Sequence, residues 1–152
     1  MKHLAWILLC LMCGCSASEQ WKTAEVRAPS EILLWQVAIR ALQHEGYPVG
    51  HGLDPVNRVA KSGWANDLAP FRGKGVRRRA VVGIFQSEED PGAWLIEVRV
   101  EVEKNMDIVR PLDPGFAEWE EAPDDAVEAD LILQAIRSQV AIGSGGDSIT
   151  IE

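Results

Sequence analysis

Trp94-Leu95-Ile96-Glu97-Val98-Arg99-Val100-Glu101-Val102-Glu103 alternates with a period of two. Trp94, Ile96, Val98, Val100 and Val102 fall on one side, with Leu95, Glu97, Arg99, Glu101 and Glu103 on the other. That pattern predicts a strand in an antiparallel sheet with one buried face and one wet face. Immediately upstream, Ser87-Glu88-Glu89-Asp90-Pro91-Gly92 has turn composition. Val76 to Phe85 before it reads as a second strand, basic at its start and apolar at its end. The two runs are expected to form an antiparallel hairpin, with Arg77 and Arg79 lying opposite Glu101 and Glu103.

Helical spacing flanks the hairpin. On the N-terminal side Ile32, Trp35, Ile39 and Leu42 recur at helical intervals, widened by Leu34, Ala38 and Ala41. Ser30 is placed to cap this helix and Gly46 to end it, which predicts a helix over 31–45. On the C-terminal side Ile132, Ile136 and Val140 share a stripe with Ala129 and Leu133. Asp125 and Glu128 offer a capping-box-like start there. Between these elements, Tyr47-Pro48-Val49 reads as a short edge strand, Asp54–Asn57 as a turn, Arg58–Trp64 as a strand and Asn66–Gly75 as a loop. Asp107 to Pro123, with three prolines, reads as an ordered crossover loop. The expected fold is α+β: about four antiparallel strands with two helices on one face.

The remaining segments set the domain limits. The 152 residues favour one domain, and 47% hydrophobic with 25% charged residues is a globular balance. A net charge of -8 argues against a nucleic-acid partner and against attachment to anionic lipid heads. Met1-Lys2-His3 is a short positive start, followed by an unbroken apolar run from Leu4 to Cys15. At about 1.5 Å per residue this run reaches roughly 18 Å as a helix, short of a bilayer core of roughly 30 Å. It fits the hydrophobic region of a cleavable secretory signal. Cys10, Cys13 and Cys15 all lie in this segment, so the cysteines are not a disulfide framework, and no His or Cys follows them at zinc-site spacing. The expected organisation is a signal peptide over 1–14, a polar tether over 15–29, an α+β domain over 30–141 and a tail over 142–152.

Met12-Cys13-Gly14-Cys15-Ser16 resembles a bacterial lipobox, with small Gly14 before the cysteine. The resemblance implies cleavage before Cys15 and three acyl chains on that residue. One buried chain holds a protein weakly, at about 0.8 kcal/mol per methylene, whereas three hold it durably. Ser16, where an Asp would imply inner-membrane retention in enterobacteria, points to the outer membrane. The domain itself resembles the helix-grip domains of accessory lipoproteins from the outer-membrane barrel-assembly machine. The shared features are the lipobox, the helix in Ser30–Leu42 with Trp35, a turn near Gly50–Asp54, a strand with Trp64, and strands before a closing helix. This resemblance implies binding or scaffolding in outer-membrane assembly or maintenance rather than catalysis.

Few residues point to chemistry. Arg77, Arg78 and Arg79, with Lys74 and Arg72, form the one basic run, readable as an acidic-partner site or as cross-strand pairing. His44 stands where a helix should end. His51 and Asp54 are the best acid–base pair, but lie in a Gly-rich turn where Asp commonly bonds its own backbone. No Ser or Cys nucleophile sits in a recognisable elbow. Of the tryptophans, Trp35 and Trp94 take core positions. Trp119, followed by Glu120 and Glu121, is a candidate anchor within an acidic rim, or a cap on the sheet edge, and Trp21 lies in the tether.

The leading expectation is a lipid-anchored, non-enzymatic envelope protein, held by Cys15 and binding an envelope protein partner through Trp119, Arg77 and Arg79, with no cofactor and no metal. The alternatives are a periplasmic lipid or small-molecule carrier, marked by an apolar pocket, and a hydrolase using His51 and Asp54.

Overall fold

The computed structural model describes residues 19–68 and 75–144. The leader over 1–14, Cys15, Arg72, Lys74 and residues 145–152 lie outside the described residues. In chain order the elements are β1 (Lys22–Arg27), α1 (Glu31–His44), β2 (Leu53–Asp54), β3 (Val59–Lys61), β4 (Ala65–Asp67), β5 (Val76–Gln86), β6 (Ala93–Asn105), β7 (Trp119–Ala122) and α2 (Ala126–Ser144).

The hairpin of β5 and β6 is the spine. Its register puts Arg77 opposite Glu103 and Arg79 opposite Glu101, as the alternation predicts. Each outer edge carries two short strands. β1 pairs with residues 93–98 of β6 and β7 with residues 102–105 of the same edge. β3 pairs with residues 81–83 of β5 and β4 with residues 76–78. β2 extends the sheet beyond β3.

Among the described residues the architecture is therefore α+β with two helices and an antiparallel sheet, but the sheet has seven strands rather than about four. The expected tether over 15–29 contains β1. Its Ala24 and Val26 turn inward while Thr23, Glu25 and Arg27 stay wet, too little apolar content to stand out in the sequence. The bare edge of β6 makes the strand, because a long edge demands backbone partners. The expected crossover loop ends in β7 for the same reason. Tyr47-Pro48-Val49 is not a strand, and the edge is formed by Leu53–Asp54 instead. Arg58–Trp64 is interrupted: β3 stops at Lys61 and β4 restarts at Ala65, so Asn66 and Asp67 are strand, not loop. α2 runs through Ser144, past the expected limit at 141.

One face of the sheet holds the core. Ala80, Val82 and Ile84 of β5 and Ile96, Val98, Val100 and Val102 of β6 pack against Leu34, Ala38, Ala41 and Leu42 of α1 and Ile132, Leu133, Ile136 and Val140 of α2. Trp35 and Trp94 are partly buried at its margin. The helix ends follow their sequence signals. Ser30 accepts a hydrogen bond from the Leu33 amide at 3.2 Å. At the other end Gly46 adopts φ +82° and Tyr47 N–H donates to Leu42 O, a Schellman closure that a side chain at 46 would strain. Ser30→Ala is expected to lower stability by about 1 kcal/mol in denaturant titration, with the slope unchanged.

Candidate functional site

The face of the sheet turned away from the helices is charged and aromatic. Odd-numbered residues of β5 and β6 point there, so the alternation that builds the core also builds this surface. Arg77 Nε donates to Glu103 at 2.6 Å and Arg79 Nε to Glu101 at 2.8 Å. Lys61 stands 3.5 Å from Glu101. These cross-strand pairs are the pairing reading of the basic run.

The same cations also stack on rings. The Arg77 guanidinium lies 4.4 Å from the Trp64 ring centroid and 4.6 Å from that of Trp119, and Arg79 lies 4.3 Å from Trp64. Trp119, Arg77, Trp64 and Arg79 thus form one continuous ladder. Trp119 reaches it because β7 pairs with β6 and sets Trp119 opposite Asn105. Trp64 lies in the break between β3 and β4, where Ser62 stays buried against β5 and Gly63 is exposed. There Ser62 N–H donates to Ala80 O, and the Ser62 hydroxyl accepts the Ala80 amide and donates to Gly63 O. The structure brings together Trp119, Arg77 and Arg79, the three partner-binding candidates. Trp64 was missed as a site residue, because nothing in its local sequence shows that its strand breaks.

Beside the ladder is an open cleft of about 290 Å³ lined by Trp64, Arg79, Arg99, Glu101, Glu121 and Asp124, among others. Its base is an ion pair: Arg99 Nε donates to Asp124 Oδ2 at 2.7 Å, with side chains 11% and 4% exposed. Arg99 also meets Glu19 at 2.8 Å, and Asp124 accepts the Gln20 amide. Burial alone would push the Arg99 guanidinium down, but the hydrogen bond and charge of Asp124, with Glu19 and Glu101, carry it above the usual arginine value.

Asp54 and His51, the acid–base candidates, are not engaged with each other among the described residues. Asp54 accepts the amides of Val56 and Asn57 at 3.1 and 3.0 Å and the Asn57 side chain at 2.7 Å. Hydrogen bonds from Asn57 hold its carboxyl below the usual carboxylate range. His51 is exposed, and no hydrogen bond joins it to Asp54 among the described residues. His44 is exposed in the last turn of α1, with Nδ1 3.2 Å from Glu45. Among the described residues, no group of three or more His, Cys, Asp or Glu is placed to hold a metal ion. Nor is any described helix long and apolar enough to cross a membrane.

An apolar notch of about 120 Å³ lies between α1 and the β2–β3 turn, lined by Ile32, Trp35, Pro55 and Ile84 under the Arg58–Glu31 pair. It is smaller than the roughly 300 Å³ at which ligand sites begin. No family model matches the chain, and no curated protein matches it.

Proposed function

We propose that this protein is a lipid-anchored envelope protein, held by acyl chains on Cys15, that binds another envelope protein through the open face of its sheet and performs no catalysis of its own. The observation that carries the reading is the ladder of Trp64, Arg77 and Trp119 on the face the helices leave uncovered. Tryptophan and arginine dominate the energetics of protein interfaces, and rings already stacked on a guanidinium lose little freedom on docking. The acidic residues around the ladder, Glu101, Glu103 and Glu121, give it a polar rim. The core between helices and sheet is filled by side chains with no exposure, among them Leu34, Leu42, Ile96, Ile132 and Ile136, which weighs against a carrier. The resemblance in sequence points to outer-membrane assembly or maintenance as the setting.

The test is a photo-crosslinking residue at position 121 in intact envelopes. One dominant protein adduct that disappears in Trp119→Ala supports the reading. An adduct indifferent to Trp119→Ala removes the ladder from the interface, and recovery of only lipid or a metabolite favours the carrier. In the same cells Cys15→Ser is expected to move the protein from the membrane fraction to the soluble one.

A further inference from the structure

The segment between β6 and β7 is built to be rigid and greasy at once. Asn105, 1% exposed, clasps its two ends: Oδ1 accepts the amides of Asp107 at 2.9 Å and Glu118 at 3.1 Å, while Nδ2 donates to Pro111 O at 3.3 Å. Inside the loop Asp107 accepts the Val109 and Arg110 amides, and Asp113 accepts that of Gly115. The Arg110 guanidinium sits 3.6 Å from the Phe116 ring centroid. The loop displays Ile108 at 82%, Val109 at 81%, and Leu112 and Phe116 at 52% exposure, beside exposed Arg110 and Asp113. Contiguous exposed side chains of this kind mark a contact surface rather than an ordinary loop tip.

The chain leading to Cys15 says what covers it. β1 runs antiparallel to β6, with Lys22 opposite Val98 and Arg27 opposite Ala93. Chain upstream of Lys22 therefore leaves toward the end of β6 that carries the 106–118 loop. On the way, Glu19 is held by Arg99 and Gln20 by Asp124, in the gap between β1 and β7 part-way along β6. Cys15 precedes Glu19 by four residues, a leash of at most about 14 Å. A domain held that short by acyl chains lies close to the bilayer, with this end of β6 nearer to the anchor than the hairpin turn at 87–92.

We infer that the 106–118 loop docks on the surface of the same bilayer that takes the Cys15 acyl chains, a second, hydrophobic contact that fixes how the domain sits. This rests on the proposed anchoring through Cys15. Ile108, Val109, Leu112 and Phe116 enter the boundary between headgroups and acyl chains, the depth that interfacial apolar faces reach. The net charge of -8 gives no attraction to anionic headgroups, so the contact is hydrophobic and indifferent to salt. It also leaves the ladder of Trp64 and Trp119, on the sheet face, free for a partner.

The test uses the full-length protein purified from envelopes and placed in phosphatidylcholine vesicles, with a polarity-sensitive dye on Leu112→Cys and, separately, on Glu88→Cys at the opposite hairpin end. Mass spectrometry reads Cys15 in the same samples. The expected result is blue-shifted emission at 112, quenched by nitroxide lipids and unchanged by salt, with water-like emission at 88. Acylated Cys15 with water-like emission at 112 overturns the docking and leaves the anchor standing. A leader still attached to an unmodified Cys15 overturns both. Emission at 112 that is blue-shifted in intact envelopes but water-like in protein-free vesicles assigns the loop to a protein, and overturns the bilayer contact.

Discussion

Asp124→Ala is expected to destabilise the domain by about 1–3 kcal/mol, because Arg99 loses its hydrogen-bonded partner and keeps only Glu19 and Glu101 nearby. Asp124 and Arg99 are 4% and 11% exposed and 2.7 Å apart. The pair closes the gap on the edge of β6 between β1 and β7, where the chain leaves the sheet for α2. The Asp125 amide bonds Val100 O in that gap, and Asp124 itself holds the Gln20 amide. Losing Asp124 therefore loosens β1 as well as leaving Arg99 to Glu19 and Glu101. Denaturant unfolding measures the total, and amide exchange at residues 22–27 should rise ahead of the core. The double variant Arg99→Met/Asp124→Leu is expected to recover the part of the loss that comes from Arg99, since burying two apolar side chains avoids the cost of desolvating two ions, while the Gln20 contact stays lost. A double variant as unstable as the single one would show that the Gln20 contact, not charge, sets the cost. Alkaline pH will not imitate the mutation. The folded guanidinium titrates above its unfolded value, so its contribution is complete below the ordinary arginine range and is lost only as pH climbs through the raised value.

Asn105→Leu is expected to cost about 2–4 kcal/mol, from two amide donors and one carbonyl left without partners at a site 1% exposed. The shape of the side chain is nearly kept, so the loss is of hydrogen bonds rather than of packing. Its second signature is local: amides of Asp107 and Glu118 should lose protection while those of α1 and α2 keep theirs. Equal loss of protection everywhere would mean that Asn105 supports the sheet rather than the loop. Acid acts on the same loop by another route. Amides of Arg110 and Val109 hold the Asp107 carboxyl below its ordinary value. A carboxylate with a depressed folded value stabilises fully above its unfolded value near pH 4, and the stabilisation is lost as pH falls through the folded one. Protection factors at Val109 and Arg110, corrected for the intrinsic pH dependence of exchange, should therefore fall below roughly pH 4 and be flat above about pH 5. A mid-point at neutral pH would exclude Asp107 as the cause.

How much of this was legible beforehand depended on how far apart the interacting residues lie. Ile96 to Val102 announce a strand because period two needs only neighbours in sequence, and the hairpin register followed from a turn six residues long. Ser30, Gly46 and Asp125 likewise act within a turn of their own helix, and each does what its residue type implies. Arg77 and Arg79 could be matched to Glu103 and Glu101 through that register. What could not be read were the short strands. Lys22–Arg27, Ala65–Asp67 and Trp119–Ala122 have too few apolar residues to show a period. They become strands only because β5 and β6 present bare edges to them.

The amino-acid order thus determines the spine, the two helices and the side chains that alternate between core and open face, since each rests on spacing and local capping. Tertiary structure alone decides that Trp64 and Trp119, 55 residues apart in sequence, enclose one arginine, that Arg99 finds Asp124, and that Asn105 folds a greasy loop outward. Those contacts depend on which short strands complete the sheet, and edge pairing carries no signature in the strand that is recruited.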